Sequence, residues 1–220
     1  LLDNPDLVKE LLNGYKGAKT IPYDFANDPN GEFAWATPVL SMITQNPMQL
    51  KLGAKPSIDD VENVVVEICN QFKSMVEDKG LWEVFYTEDK KGVRKERTSQ
   101  KCFHAIADSY CKANDLDVSP ESNAGAGAVD FKFSNGLRKV CVEIKLSTNT
   151  RLSKAYDRQL PAYEKAEESQ RGVVLVIEVS EESKQLEKLK ERREKEAADG
   201  SYRPKVIAVD ALPKESASKL

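Results

Sequence analysis

The stretch from Gly127 to Ser147, GAVDFKFSNGLRKVCVEIKLS, constrains the fold more than any other part of this chain. Asn135-Gly136 sits between two runs that alternate apolar and polar residues, and such a dipeptide is a strong hairpin signal because both central residues of a type I′ turn need positive φ. A two-residue loop at that point pairs Ser134 with Leu137, and therefore Phe131 with Val140 and Asp130 with Cys141. Strand side chains alternate faces, so Val129, Phe131, Phe133, Val140, Val142, Ile144 and Leu146 share one uniformly apolar side. Asp130, Cys141, Glu143 and Lys145 share the other, with Asp130 and Glu143 as diagonal neighbours within reach of one ion.

The elements around the hairpin follow from periodicity. Ser57 to about Lys79 reads as a helix capped by Ser57, with Asp59 and Asp60 at its positive end and Val61, Val64, Val65, Ile68, Phe72, Met75 and Val76 on one stripe. A second helix spans about Lys95 to Asn114, with Cys102, Phe103, Ile106, Ala107 and Tyr110 facing inward. A short strand is expected near Leu116 to Ser119, then the Gly-rich turn SNAGAGA and the hairpin. A helix from about Leu152 to Ser169 leads into GVVLVIEV, too short and too β-branched for a helix, whose place after a crossover makes it a buried parallel strand. Glu181 to Ala198 is a Lys/Glu-rich helix with a solvated face, and KVIAVDAL can add an edge strand. Residues 1–56 are turn-rich, with one short helix near Pro5 to Leu12, and form an N-terminal extension to a domain over 57–220.

Composition narrows the function classes. No apolar run approaches the roughly 20 residues that cross a bilayer, so no membrane partner is expected. The net charge of −3, from 33 basic and 36 acidic residues, does not advertise a nucleic-acid partner in bulk. The run KKGVRKERTSQK nevertheless clusters Lys90, Lys91, Arg94, Lys95, Arg97 and Lys101, either as a solvated loop or as a helix start that meets phosphate. Cys69, Cys102, Cys111 and Cys141 form no CxxC pair and suggest reduced thiols in a cytoplasmic protein. His104 has no ligand-spaced partner, which argues against zinc and makes it a structural residue of the second helix. Ser218, Lys219 and Leu220 spell the S-K-L peroxisomal address, which acts only at a true C-terminus.

Two carboxylates as close as Asp130 and Glu143 repel each other, so one takes up a proton unless a cation sits between them. A hard dication such as Mg²⁺ suits oxygen ligands and leaves positions for water and a phosphate oxygen. Lys145, two residues beyond Glu143 on the same face, can orient a water or neutralise charge on a phosphorane. The bland reading of the same three residues is a solvated sheet face with a Glu/Lys pair of little energetic worth.

At these residues the sequence resembles the PD-(D/E)XK nuclease superfamily, whose sheet hairpin carries an Asp and then Glu-x-Lys; here they stand as Asp130 in VDF and as Glu143 and Lys145 in VEIKLS. The following helix holds RQLPAYEKA, which looks like the Gln-xxx-Tyr element of some members and singles out Gln159 and Tyr163. The resemblance covers roughly Lys95 to Val179, in the order helix, three strands, helix, strand. It implies an α/β restriction-endonuclease-like core and a mixed sheet flanked by helices. It further implies a nuclease, endo- or exo-acting, that uses Mg²⁺, with Mn²⁺ as a substitute, held by Asp130, Glu143 and the carbonyl of Ile144. Lys145 would assist, Glu96 stands where some members place a helix glutamate at the metal, and Glu121 is its rival. DNA is the expected substrate and RNA the alternative, with Arg94, Lys95, Arg97, Lys101, Gln159 and Tyr163 as candidate contacts. A homodimer or a module of a larger prokaryotic restriction or antiviral defence protein is the implied setting. A fold of this kind without catalysis, serving binding or assembly, is the competing reading.

Overall fold

The computed structural model describes residues 52–53, 55–125, 127–181, 183–197 and 202–214. The expected helix near Pro5 to Leu12, nearly all of the 1–56 extension and the Ser218-Lys219-Leu220 triplet lie outside the described residues. Helix α1, Ile58–Asp78, begins in a capping box: Asp60 N donates to Ser57 Oγ at 3.1 Å and Ser57 N donates to Asp60 Oδ2 at 2.7 Å. Its stripe of Val61, Val65, Ile68, Phe72 and Val76 is fully buried. A 3-10 turn, Leu81–Phe85, adds Leu81, Trp82 and Phe85 to the same core before α2, Glu96–Ala113.

Five strands follow in spatial order β1-β2-β3-β4-β5: β1 Asp117–Ser122, β2 Val129–Asn135, β3 Arg138–Leu146, β4 Arg171–Glu178 and β5 Lys205–Asp210. The first three are antiparallel neighbours, whereas β4 runs parallel to β3 and β5 parallel to β4. The parallel β3–β4 step needs a crossover. It is a composite helix, α3, built from an α turn Leu152–Lys154, a π-helical stretch Ala155–Gln159 and an α segment Leu160–Ala166. Helix α4, Lys184–Ala197, connects β4 to β5 and buries Leu186 and Leu189.

The result is an α/β architecture, a five-stranded mixed sheet flanked by helices. One face packs Phe131, Phe133, Val140, Val142, Ile144, Leu175 and Ile177 against α1 and α2. The other packs Cys141, Val174 and Val176 against Leu152, Tyr156, Leu160 and Tyr163 of α3 and the two leucines of α4. Gly172 marks how closely α3 crosses β4, since a Cβ there would lie 2.9 Å from Leu160 Cδ2. All four cysteines are buried. Among the described residues, no helix is long and apolar enough to cross a membrane.

Two expectations about the hairpin are corrected. The turn is centred on Gly136 and Leu137, so Asn135 pairs with Arg138, Phe133 with Val140 and Phe131 with Val142, two residues away from the expected register. Only Gly136 of the two central residues has positive φ, at 61°, the pattern of a type II′ turn. Asn135 is kept in the strand by its side chain, whose Nδ2 donates to Asp115 O at 2.9 Å. A slip of two leaves every side chain of the pair on its own face, so the division into apolar and charged sides survives. The second correction is Val129, which packs with Cys141 and Tyr163 on the far side rather than with Phe131. The β2–β3 ladder ends at Phe131 and Val142, and beyond it Ile144 N donates to the Asp130 side chain at 2.7 Å. The strand expected over Leu116 to Ser119 extends to Ser122.

Candidate active site

Where β2 parts from β3, four charged side chains from three elements converge. Lys145 Nζ lies 2.9 Å from Glu143 Oε1, 2.9 Å from Glu96 Oε1 and 3.8 Å from Asp130 Oδ2. It also donates to Ile144 O at 3.0 Å. Glu143 and Lys145 reach the point because they alternate along β3, and Glu96 because it opens α2 directly above the strand's end. The second Glu96 oxygen accepts from Leu146 N at 3.1 Å and Asn149 Nδ2 at 3.3 Å. Asp130 Oδ1 accepts from Gln100 Nε2 at 2.8 Å. Glu143, 3% exposed, has one oxygen, Oε2, buried without a hydrogen-bond partner among the described residues.

Three carboxylates therefore face one ammonium. Burial, reinforced by the neighbouring Glu143, pushes the Asp130 carboxyl up to about 7. Burial likewise raises Glu143, against the opposing pull of Lys145. For Lys145 burial alone would lower the value, but Asp130, Glu143 and Glu96 outweigh it and hold the side chain as an ammonium above its ordinary range. A buried carboxylate oxygen without a donor is expensive, and it is the kind of atom a hard cation satisfies. Among the described residues no three His, Cys, Asp or Glu side chains are grouped to hold an ion. The oxygen set on offer is instead two carboxylates, Asp130 and Glu143, and the Ile144 carbonyl, which suits Mg²⁺ with water completing its shell.

The remaining expected residues divide. Gln159 closes the π-helical stretch, half-buried, beside the Tyr163 hydroxyl. Tyr163 is buried, and burial followed by the charge on Glu143 raises its hydroxyl value. A Cβ at Gly127, where φ is 102°, would sit 3.4 Å from Tyr163 Cε1, so the glycine lead-in lets the chain pass over that ring. π turns recur at functional sites because the extra residue re-aims side chains. In the basic run, Arg94 Nε donates to Tyr86 O at 2.9 Å, while Lys90 lies over the Trp82 ring and pairs with Glu83, so those two brace the preceding turn. Lys95 is the exposed N-cap of α2. Arg97 and Lys101 line a cleft of about 220 Å³ together with Gln100, His104, Pro120, Glu121, Asp130 and Phe131.

Glu96, and not Glu121, meets Lys145; Glu121 faces the adjoining cleft from β1 with a left-handed φ of 49°. Two partners were not singled out from sequence. Gln100, one helical turn beyond Glu96, donates to Asp130. Asn149, just past β3, holds Glu96. The spacing of Glu96 and Gln100 on one helical face was the available signal for the first, and nothing local marks the second.

A family profile described as a domain of unknown function (DUF8371) matches residues 61–181, which spans α1 through β4 and contains Glu96, Asp130, Glu143, Lys145, Gln159 and Tyr163. No curated protein and no solved structure matches the chain.

Proposed function

The chain belongs to the DUF8371 family, a domain of unknown function, and from its site we propose a restriction-endonuclease-like, metal-dependent nuclease that hydrolyses DNA phosphodiester bonds. The observation that carries this reading is the convergence of three carboxylates on one buried lysine, with a Glu143 oxygen left unpartnered. A structural ion pair needs one anion per cation; this cluster has an excess of two, which a dication would balance. Asp130, Glu143 and the carbonyl of Ile144 would hold Mg²⁺ or Mn²⁺. Such an ion, when bound, supplies Lewis-acid stabilisation of charge on the phosphoryl oxygens.

The chain's own groups do the rest. Lys145, kept protonated by its three acidic neighbours, acts as a donor and not as a base: it orients the attacking water and steadies negative charge as it develops on the phosphate. Glu96 aims that ammonium, since one of its oxygens takes Lys145 and the other is fixed by Leu146 N and Asn149. Gln100 holds the Asp130 carboxyl from the helix side. Tyr163, whose hydroxyl feels the charges of Glu143, Lys145 and Asp130, and Gln159 beside it can bond a phosphate oxygen. The chemistry fits a cytoplasmic restriction or anti-phage role, alone, as a dimer making paired nicks, or as a module of a larger protein.

The test is digestion of plasmid and linear DNA in Mg²⁺, Mn²⁺ and EDTA, with an RNA digest in parallel. Wild type should cleave DNA only with a divalent ion, and Asp130→Ala and Lys145→Ala should not cleave. DNA left equally intact by all three proteins in every metal would defeat the proposal, and cleavage confined to RNA would redirect it.

A further inference from the structure

The cleft beside Asp130 is built from two elements. Arg97, Gln100, Lys101 and His104 recur at i, i+3, i+4 and i+7 and form one face of α2; Pro120 and Glu121 of β1 stand opposite, and Phe131 lies between. The elements grade from charged to aromatic. Arg97 is exposed at the helix start, next to the residue that aims Lys145. His104, half-buried, lies nearly parallel on Phe131, with ring centroids 5.8 Å apart and 24° between planes. Burial lowers the His104 value, so the ring is a neutral imidazole near pH 7. Asp130 belongs both to this cleft and to the charged cluster, so whatever occupies the cleft lies against the reacting centre.

Resting on the nuclease reading, we propose that this cleft binds one unpaired nucleotide of a DNA strand. The base lies between the His104 ring and Pro120, and the adjacent phosphate is held by Arg97 and Lys101. Its substrate is then single-stranded DNA or a frayed end. At about 220 Å³ the space is smaller than the ~300–1,000 Å³ of drug-sized ligand sites, room for a single nucleotide but not for a stacked base pair. A base can reach a ring set beside the reacting centre only by leaving its duplex stack, which costs least where it is already unpaired. Stacking on a flat ring is indifferent to base identity, whereas cationic side chains at one end fix the strand's direction. Glu121 on the facing wall repels phosphate and so confines the backbone to the Arg97 side.

The experiment is fluorescence anisotropy of the full chain in EDTA, where nothing is cleaved, with a labelled single-stranded DNA of roughly 12 nucleotides and the same sequence as a blunt duplex. The single strand should bind more tightly. His104→Ala should weaken that binding roughly tenfold with little change for the duplex, His104→Phe should retain it, and Arg97→Ala should weaken it with a shallower salt dependence. Circular dichroism of each variant checks folding; should His104→Ala not fold, the Phe and Arg97 variants decide alone. Equal affinity for both DNA forms, or indifference to His104 and Arg97 replacement, overturns the inference. Metal-dependent cleavage without a single-strand preference would leave the nuclease reading standing and remove this one. A preference that depends on His104, without cleavage in any metal, would do the reverse.

Discussion

Two buried glutamates sit at opposite ends of the parallel strands, and each has one oxygen without a hydrogen-bond partner: Glu62 Oε1 and Glu143 Oε2. Their surroundings differ in charge balance. Asp59 and Glu62 on α1 meet Arg171 at the start of β4 and Lys205 at the start of β5, with Glu62 3.6 Å from the first and 3.3 Å from the second, so the two ion-paired anions have two cations, and the nearby Glu164 accepts from the Tyr202 hydroxyl. At the other end Glu96, Asp130 and Glu143 share Lys145 alone. Burial of a carboxylate is therefore not the mark of a site. What distinguishes the second cluster is a charge deficit that no side chain among the described residues fills.

Removing one charge from each cluster separates the two most clearly. Lys145→Ala strips the only counter-charge among the described residues from a cluster whose glutamate is 3% exposed, and should cost about 3–5 kcal/mol of stability in EDTA, recovered in part by Mg²⁺. It should also abolish cleavage. Glu62→Gln leaves two partly exposed cations that water can solvate, so it should cost only about 1–3 kcal/mol and leave cleavage unchanged; both values come from denaturant titration.

A smaller effect is a dependence on pH. The Asp130 carboxyl titrates near 7 in the folded protein against an ordinary 3.8, so the folded chain holds a proton that the unfolded chain releases. The stability it contributes is complete below the ordinary value and is lost as pH rises towards 7 and through it. In EDTA the protein should thus lose stability between about pH 4 and pH 7 and level off above that. Asp130→Asn, which keeps the acceptor for Ile144 N, should flatten that decline. Smallest of all, Glu143→Gln should change the metal-free melting temperature little or raise it slightly, because it removes one excess charge. The same substitution at a balanced pair would lower it.

Much of this was legible in the sequence, and the failures have physical causes. Both N-terminal helices are visible because their apolar stripes recur at helical spacing and Ser57 signals its own cap. The charged face of the hairpin is legible because alternation along Cys141, Glu143 and Lys145 does not depend on the register chosen. Register itself was not: Asn135-Gly136 admits two placements of the turn, and the choice is made by a tertiary bond from Asn135 to Asp115. Val129 was misplaced because alternation holds only while the ladder lasts, and it ends at Phe131. The π-helical stretch before Gln159 has no sequence signal of its own, and Asn149 reaches Glu96 across 53 positions of chain, beyond any local pattern.

The most direct measurement is calorimetric titration of Mn²⁺ into the metal-free protein and into Asp130→Asn, Glu143→Gln and Glu62→Gln. The charge-deficit account predicts binding by wild type and Glu62→Gln alike, and its loss in the two variants at the Lys145 end. Equal binding by all four proteins, or none by wild type, would contradict it.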